Sequence, residues 1–262
     1  MRRRSRGRVP SPSVLHDYGG DGRPILLLHG LMGRSRTWRR HLPWLTRYGH
    51  VWALDAAGHD SAEATGPWTT ERFVADAAAA VRRIDDGPVV AIGHSMGGLH
   101  AWCLAAAHPE LVRAAVIEDM APDFRGQTAV GWLAEFERWP LPFLDAAQVL
   151  DYFGPVAGRY FLDSFDERAD GWHLHGSLPD WFEIAEHWGT RSHWDQWGAV
   201  RVPTLLLEAE RSLTPAGQMA AMAAAAKARS TYLVVSGTGH LLHDDAPERY
   251  REVVEQFLSG VG

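Results

Sequence analysis

Six short apolar runs recur along the chain, at residues 24–29, 51–55, 88–93, 113–119, 203–209 and 230–235, each bounded by polar or glycine-bearing segments. Runs this short and this rich in Val, Ile and Leu predict strands buried on both faces. Between them the apolar positions switch to helical spacing, over residues 36–48, 70–84, 96–108, 215–227 and 246–258. Strand and helix in alternation specify an α/β fold, a mostly parallel central sheet flanked by helices on both faces. Residues 14–18 add a strand at its edge, and the alanine tracts 77–80 and 223–226 suit helices.

The alternation fails between Pro122 and Gly198, where 77 residues are dense in aromatics and hold seven of the twelve Trp and seven of the nine Phe. Such a segment reads as an insertion. The resulting organisation is an N-terminal basic arm and edge strand (1–20), a core in two parts (21–121 and 199–262), and the insertion (122–198).

The chemistry concentrates where predicted strands end. Gly93-His94-Ser95-Met96-Gly97 follows one apolar run and opens a small-residue helix. A serine on such a turn has its hydroxyl pushed into the open, and the glycines let strand and helix approach closely, so Ser95 is the candidate nucleophile. His240 lies in the loop after the last predicted strand, at the carboxyl edge where open α/β sheets carry their sites. The turn His29-Gly30-Leu31-Met32-Gly33 follows the first run, and its backbone N–H groups, with the Met96 amide, suit an oxyanion hole.

With these elements the chain resembles the α/β-hydrolase family from about Ile25 to its end, and a further likeness is Asp55-Ala56-Ala57-Gly58-His59-Asp60-Ser61, similar to the family's D-x-x-G-H-G-x-S turn with Asp60 in place of a glycine. The resemblance implies an α/β-hydrolase fold with the insertion as a helical lid over the serine. It implies Leu31 and Met96 as the oxyanion donors. The family's acid follows the seventh strand, and here Ser212 stands where that aspartate would be. An unpaired histidine loses tautomer control, which costs about 10⁴ in rate in the worked triad, so a carboxylate is expected elsewhere. Asp119, at the end of the run 113–119, which is the sixth strand in the family's count, occupies the position some haloalkane-dehalogenase-like members use. Glu118 would point to the opposite face of an extended strand and ranks second; Glu210 and Glu208 rank third. Within the lid, Trp132, Trp139, Trp181 and Trp188 are the candidates for a substrate pocket, most lid aromatics being glue between lid and core.

Composition narrows the partners. The formal charge of −6 includes five arginines in the first eight residues, so the body is more acidic still and nucleic-acid binding is not expected. Those arginines read as a solvated arm, because residues 9–20 lack the apolar stretch and cleavage site of an export signal. No run of 18 apolar residues predicts a membrane span. A single cysteine, Cys103, excludes an internal disulfide and fits a reducing compartment, hence a cytoplasmic location. The fourteen histidines show no metal-ligand spacing, so no metal and no cofactor is expected; His94 and His100 read as packing beside the serine turn. The expected activity is hydrolysis of a carboxylic ester, lactone or thioester of a small apolar substrate through an acyl-enzyme on Ser95, falling on the acid side around the ordinary imidazole pKa of about 6.5. The alternatives are a C–C bond hydrolase or cofactor-free perhydrolase on the same residues, and a non-catalytic ligand-binding receptor on the same scaffold.

Overall fold

The computed structural model describes residues 13–59, 66–126 and 135–261, so the arginine arm, Asp60, Ser61 and Trp132 lie outside the described residues. Nine strands are described: β1 (Val14–Asp17), β2 (Pro24–Leu28), β3 (His50–Asp55), β4 (Val89–His94), β5 (Val112–Glu118), β6 (Asp166–Arg168), β7 (Gly171–His173), β8 (Thr204–Ala209) and β9 (Ser230–Val235). The helices are α1 (Leu42–Leu45), α2 (Thr70–Ile84), α3 (Met96–Ala107), α4 (Ala146–Phe153), α5 (Ala157–Ser164), α6 (Leu178–Gly189), α7 (Trp194–Ala199), α8 (Gln218–Ala225), α9 (Leu242–Asp245) and α10 (Pro247–Ser259).

Seven strands form one sheet in the order β1-β3-β2-β4-β5-β8-β9, parallel throughout except for β1, which runs antiparallel to β3 at the edge. Its core strands send alternate side chains to opposite faces, as a two-residue period requires. Leu26, Leu28, Ala91, Ala115, Ile117 and Leu206 join the core under α2 and α3; Ile25, Leu27, Val90, Ile92, Val116 and Leu207 join the core under α1 and α10. Both faces are therefore covered, which explains why the strands read as unbroken apolar runs.

The chain leaves β2 toward β3 on one side and then returns to β4 on the other, so the direction of winding reverses between β2 and β4. Loops leaving neighbouring strands at such a point diverge and open a crevice above their carboxyl ends. Ser95 and the His29–Gly33 turn flank it.

Helix ends follow local chemistry. The Thr69 side chain accepts the Arg72 N–H and caps α2, which closes at Asp85 in the left-handed region (φ 51°). The helix expected over residues 36–48 is instead a 3₁₀ turn at Ser35–Trp38 followed by the single turn α1. Pro43 has no N–H to continue an earlier helix and sits in the first turn of a new one. Between β5 and β8 the insertion carries α4 to α7 together with a small antiparallel hairpin of β6 and β7, an element the sequence pattern did not suggest.

Candidate active site

Ser95 alone joins β4 to α3, with φ 51° and ψ −122°, a conformation that costs an L-residue on the order of 1–3 kcal/mol. The flanking glycines permit it by what they lack. A Cβ on Gly93 would stand 2.2 Å from the Gly97 carbonyl oxygen, and one on Gly97 would stand 2.1 Å from the Leu28 carbonyl oxygen. The Ser95 N–H donates to the Glu118 carbonyl (2.8 Å), which fixes the turn to the end of β5.

The turn after β2 is held by two imidazoles. The Ala56 N–H donates to His29 Nε2 (3.0 Å) and the Met32 N–H to His59 Nε2 (3.2 Å). On their other nitrogens, His29 Nδ1–H donates to the Gly30 carbonyl (2.8 Å) and His59 Nδ1–H to the Ala57 carbonyl (3.2 Å). Each ring is thus a neutral tautomer bridging loop to loop, and burial holds His59 well below the usual imidazole pKa. Met32 itself is at φ 64°. Met96 opens α3, so its N–H has no acceptor within the helix, and Leu31 borders the same cavity as Ser95.

His240 and Asp119, 121 positions apart in sequence, meet at 2.7 Å between Nδ1 and Oδ2. Asp119 is fully buried at φ 45°, and its carboxyl also accepts from the Ala209 N–H (2.9 Å), the Ser212 hydroxyl (2.7 Å) and the Leu213 N–H (3.3 Å). Burial by itself would raise its pKa; the hydrogen bond and charge of His240, with the Ala209 and Ser212 donors, outweigh that and hold the carboxyl below its usual range. Ser212, where the resemblance would place an acid, thus donates to Asp119 instead. With Nδ1–H committed to Asp119, His240 Nε2 is left as the acceptor.

Ser95 and His240 border one cavity of about 270 Å³, walled by Leu31, Met32, Phe136, Tyr160, Phe161, Trp188, Leu213 and Leu241. Among the described residues no Lys, Arg, Asp or Glu lines it. His94 lies against it as a neutral ring, its pKa pushed well down by burial and by the neighbouring His240 and His243. His100 stacks on Phe73 (4.9 Å), and burial lowers it to about 3, as a packing residue.

The other expected residues are placed elsewhere. Glu118, fully buried, turns away from His240 and accepts from His243 Nδ1 (2.7 Å) and N–H (3.1 Å). Glu210 Oε2 takes the Gly237 N–H (2.9 Å), and Glu208 takes the Tyr232 hydroxyl. Of the tryptophans, Trp188 reaches the cavity wall. Trp139 packs on Phe136, Phe153 and Phe161 (4.8–5.1 Å), while Trp181 stacks on His59 (5.5 Å) and donates its Nε1–H to the Gly58 carbonyl (3.2 Å). Both tie the insertion to itself or to the core. Phe136, Tyr160 and Phe161 were missed as wall residues, because nothing in their local spacing separates them from the other aromatics of the insertion.

Three comparisons bear on the arrangement. The alpha/beta hydrolase family model matches residues 25–253. Lipase LipV of Mycobacterium tuberculosis is 40% identical over 108 residues, a match spanning 40% of this chain and 40% of the lipase; (E)-2-((N-methylformamido)methylene)succinate hydrolase of Acinetobacter baylyi is 22% identical over 91% of both chains. The solved structure of E-2-(acetamidomethylene)succinate hydrolase superposes with a TM-score of 0.81 at 20% identity, covering 94% of each chain, which establishes a shared fold.

Proposed function

Since the chain belongs to the alpha/beta hydrolase family, we propose that it is a serine hydrolase that cleaves a carboxylic ester, lactone or thioester of a small apolar substrate through an acyl-enzyme on Ser95. The observation that carries this reading is the 2.7 Å His240–Asp119 hydrogen bond at the rim of the cavity bordered by Ser95.

His240 Nε2 takes the Ser95 proton as Oγ attacks the substrate carbonyl, and the oxyanion forms against the Leu31 and Met96 N–H groups. Asp119 stabilises the imidazolium, which then protonates the leaving alkoxide or thiolate as the acyl–oxygen or acyl–sulfur bond breaks. Water, deprotonated by the same imidazole, attacks the acyl-enzyme, releases the acid and restores the Ser95 hydroxyl. The insertion serves as the lid: Phe136, Tyr160, Phe161 and Trp188 supply the wall facing the serine.

Two of the relatives named above, matched at 20–22% identity, are called hydrolases of succinate derivatives, which carry carboxylates. A carboxylate buried without a cation is expensive, and the described cavity wall has no cation to offer. A neutral acyl group therefore suits this chain. The lone thiol, Cys103, is buried on α3 and suits a reducing compartment, which favours the cytoplasm.

A fluorophosphonate probe tests the core of the reading: one label per chain, lost in Ser95→Ala, is expected. A series of p-nitrophenyl esters, acetate to octanoate, then reports the acyl size, with a hemisuccinate ester as the charged comparison. No labelling and no ester turnover would point to the receptor alternative, and preference for the hemisuccinate would overturn the neutral-substrate assignment.

A further inference from the structure

Glu118 and Asp119 are consecutive at the end of β5, both fully buried, and they grip one loop at two points. Asp119 holds His240; Glu118 holds His243 through both its ring Nδ1–H and its backbone N–H on the same carboxylate oxygen, Oε1. β5 ends at Glu118 and Asp119 follows in the left-handed region (φ 45°), so the backbone turns between the two carboxylates and each reaches a different residue of the segment 240–243. His94 lies between the two imidazoles, its ring 4.7 Å from that of His240 and 5.1 Å from that of His243, and its Nε2–H donates to the His240 carbonyl (2.9 Å). The backbone carbonyl of Glu118 meanwhile accepts the Ser95 N–H (2.8 Å). One residue thus supports the serine turn with its main chain and the histidine loop with its side chain.

We propose that Glu118 and His243 form a second, non-reacting carboxylate–imidazole pair that positions His240 against Ser95. This rests on the reading of Ser95 and His240 given above. Stability alone does not call for such a pair, since buried ion pairs replaced by apolar residues of similar volume are often neutral or more stable. What apolar residues do not supply is direction. Two donors converging on one carboxylate oxygen fix both the rotation of the His243 ring and the course of the backbone three residues after His240. Glu118 and His243 are therefore positioning residues, and neither borders the cavity.

The experiment compares Glu118→Gln with the double variant Glu118→Leu/His243→Phe, which fills the same space and removes both members of the pair, while Asp244 keeps Arg40 (3.1 Å) and the Tyr250 hydroxyl loses its contact with the Glu118 carboxylate. Glutamine keeps an acceptor for both His243 donors, so Glu118→Gln is expected to stay within about threefold of the parent kcat. The double variant is expected to fold with a parent-like Tm and to lose about 10- to 100-fold in kcat, the cost of a misplaced reacting group, with KM changed less than twofold. Proton NMR supplies a readout independent of turnover. The low-field resonance of the His240 Nδ1–H, assigned by its loss in Asp119→Asn, is expected to persist in Glu118→Gln and to broaden or vanish in the double variant. A folded double variant that keeps both the resonance and kcat overturns the proposal. If the parent hydrolyses no ester but the resonance still collapses in the double variant, the functional reading fails while the positioning of His240 stands.

Discussion

The carboxyl edge of the sheet and the segment inserted between β5 and β8 are held by different kinds of interaction. At the sheet edge each candidate reacting group is fixed by directional bonds. Asp119 accepts four donors, His29 and His59 bridge loops with both ring nitrogens, and three of the four described non-glycine residues at positive φ, Met32, Ser95 and Asp119, belong to this edge. In the insertion, rings pack on rings: Trp139, Phe143, Phe153, Phe161 and Phe165 lie 4.2–6.3 Å apart in several tilts. Such contacts depend on area and shape more than on angle, so many residue choices satisfy them. On the proposed function the difference separates two tasks: the edge would specify a reaction, and the insertion what fits beside it.

One helix of the insertion belongs with the edge by this measure. Arg34, 4% exposed, donates from Nε to the Asp163 carbonyl (2.8 Å) and pairs with Asp166 (3.0 Å); Arg36 donates to the carbonyls of Leu162, Asp163 and Phe165. These guanidiniums satisfy carbonyls at the C-terminus of α5 and meet the negative end of its dipole. The Ser164 hydroxyl donates to the Met32 carbonyl, and the Asp163 carboxylate meets Arg39 (2.7 Å) and Arg40 (3.0 Å). The wall that carries Tyr160 and Phe161 is accordingly fastened to the turn 29–33 and the residues that follow it by bonds as directional as those around Asp119.

The largest expected effect lies at the edge. Asp119→Asn keeps the shape but offers His240 an amide in place of a charge, and kcat is expected to fall about 10⁴-fold. Glu210→Gln, which alters only an acceptor for the Gly237 N–H, is expected to leave kcat within about twofold. Steady-state kinetics on one ester settles both, and near-parent turnover in Asp119→Asn would remove Asp119 from the acid's role.

The same contrast explains what the sequence disclosed. Six strands were legible to within about a residue at each end: five because a strand covered on both faces is apolar nearly throughout, and β9, at the sheet edge with Val234 exposed, because of its β-branched and aromatic content. Ser95 and His240 were legible because the turn geometry and strand-end loops that hold them leave marks in glycine spacing. Asp119 was reached through an absence, the serine at position 212, whose hydroxyl donates to the Asp119 carboxylate. The cavity wall was not legible. Trp139 and Phe161 have similar surroundings in sequence, and only the folding of α4, α5 and the hairpin decides that one meets other rings and the other meets the serine's cavity. The break at Pro43 was open to reading and outweighed by the periodicity around it.

Trp139 gives the next largest effect, and of another kind. Trp139→Ala removes a buried ring from between Phe136, Phe153 and Phe161 and is expected to cost about 3–5 kcal/mol in denaturant unfolding. With the ring outside the cavity, kcat below the melting range should change less than about threefold; a large loss of kcat without loss of stability would place Trp139 among the specificity residues. Phe161→Ala tests the complementary claim. Removing a ring from the wall enlarges the cavity, so the preferred acyl chain is expected to lengthen, with kcat/KM for the parent's best ester falling about 10- to 100-fold. An unchanged chain-length profile would divorce the wall from selectivity.

The smallest effect probes the sheet edge through its second pair. Burial by itself would lower the His243 pKa; the charge and hydrogen bond of Glu118, with Asp244 nearby, outweigh it and raise the pKa above the usual imidazole value. A raised folded pKa means that folding favours the protonated ring. The stabilisation is then fully present below the unfolded value of about 6.5 and is lost as pH rises through the folded one. Asp119 behaves in the opposite sense, its depressed pKa contributing stability at all pH above about 3.9, so it adds no slope in this range. Buried neutral rings remote from the pair, such as His59, cost stability as pH falls below about 6.5 equally in parent and variant and drop out of the difference; His41 and His94, which face His243, are held down first by burial, which the variant keeps, and His243 adds to that in the parent. Urea unfolding of the parent and of Glu118→Leu/His243→Phe at pH 5.5, 7, 8 and 9 should therefore give a difference that favours the parent most at pH 5.5 and declines toward pH 9. A difference independent of pH would mean that His243 is neutral in the folded chain, and that the pair holds its loop by hydrogen bonding without charge.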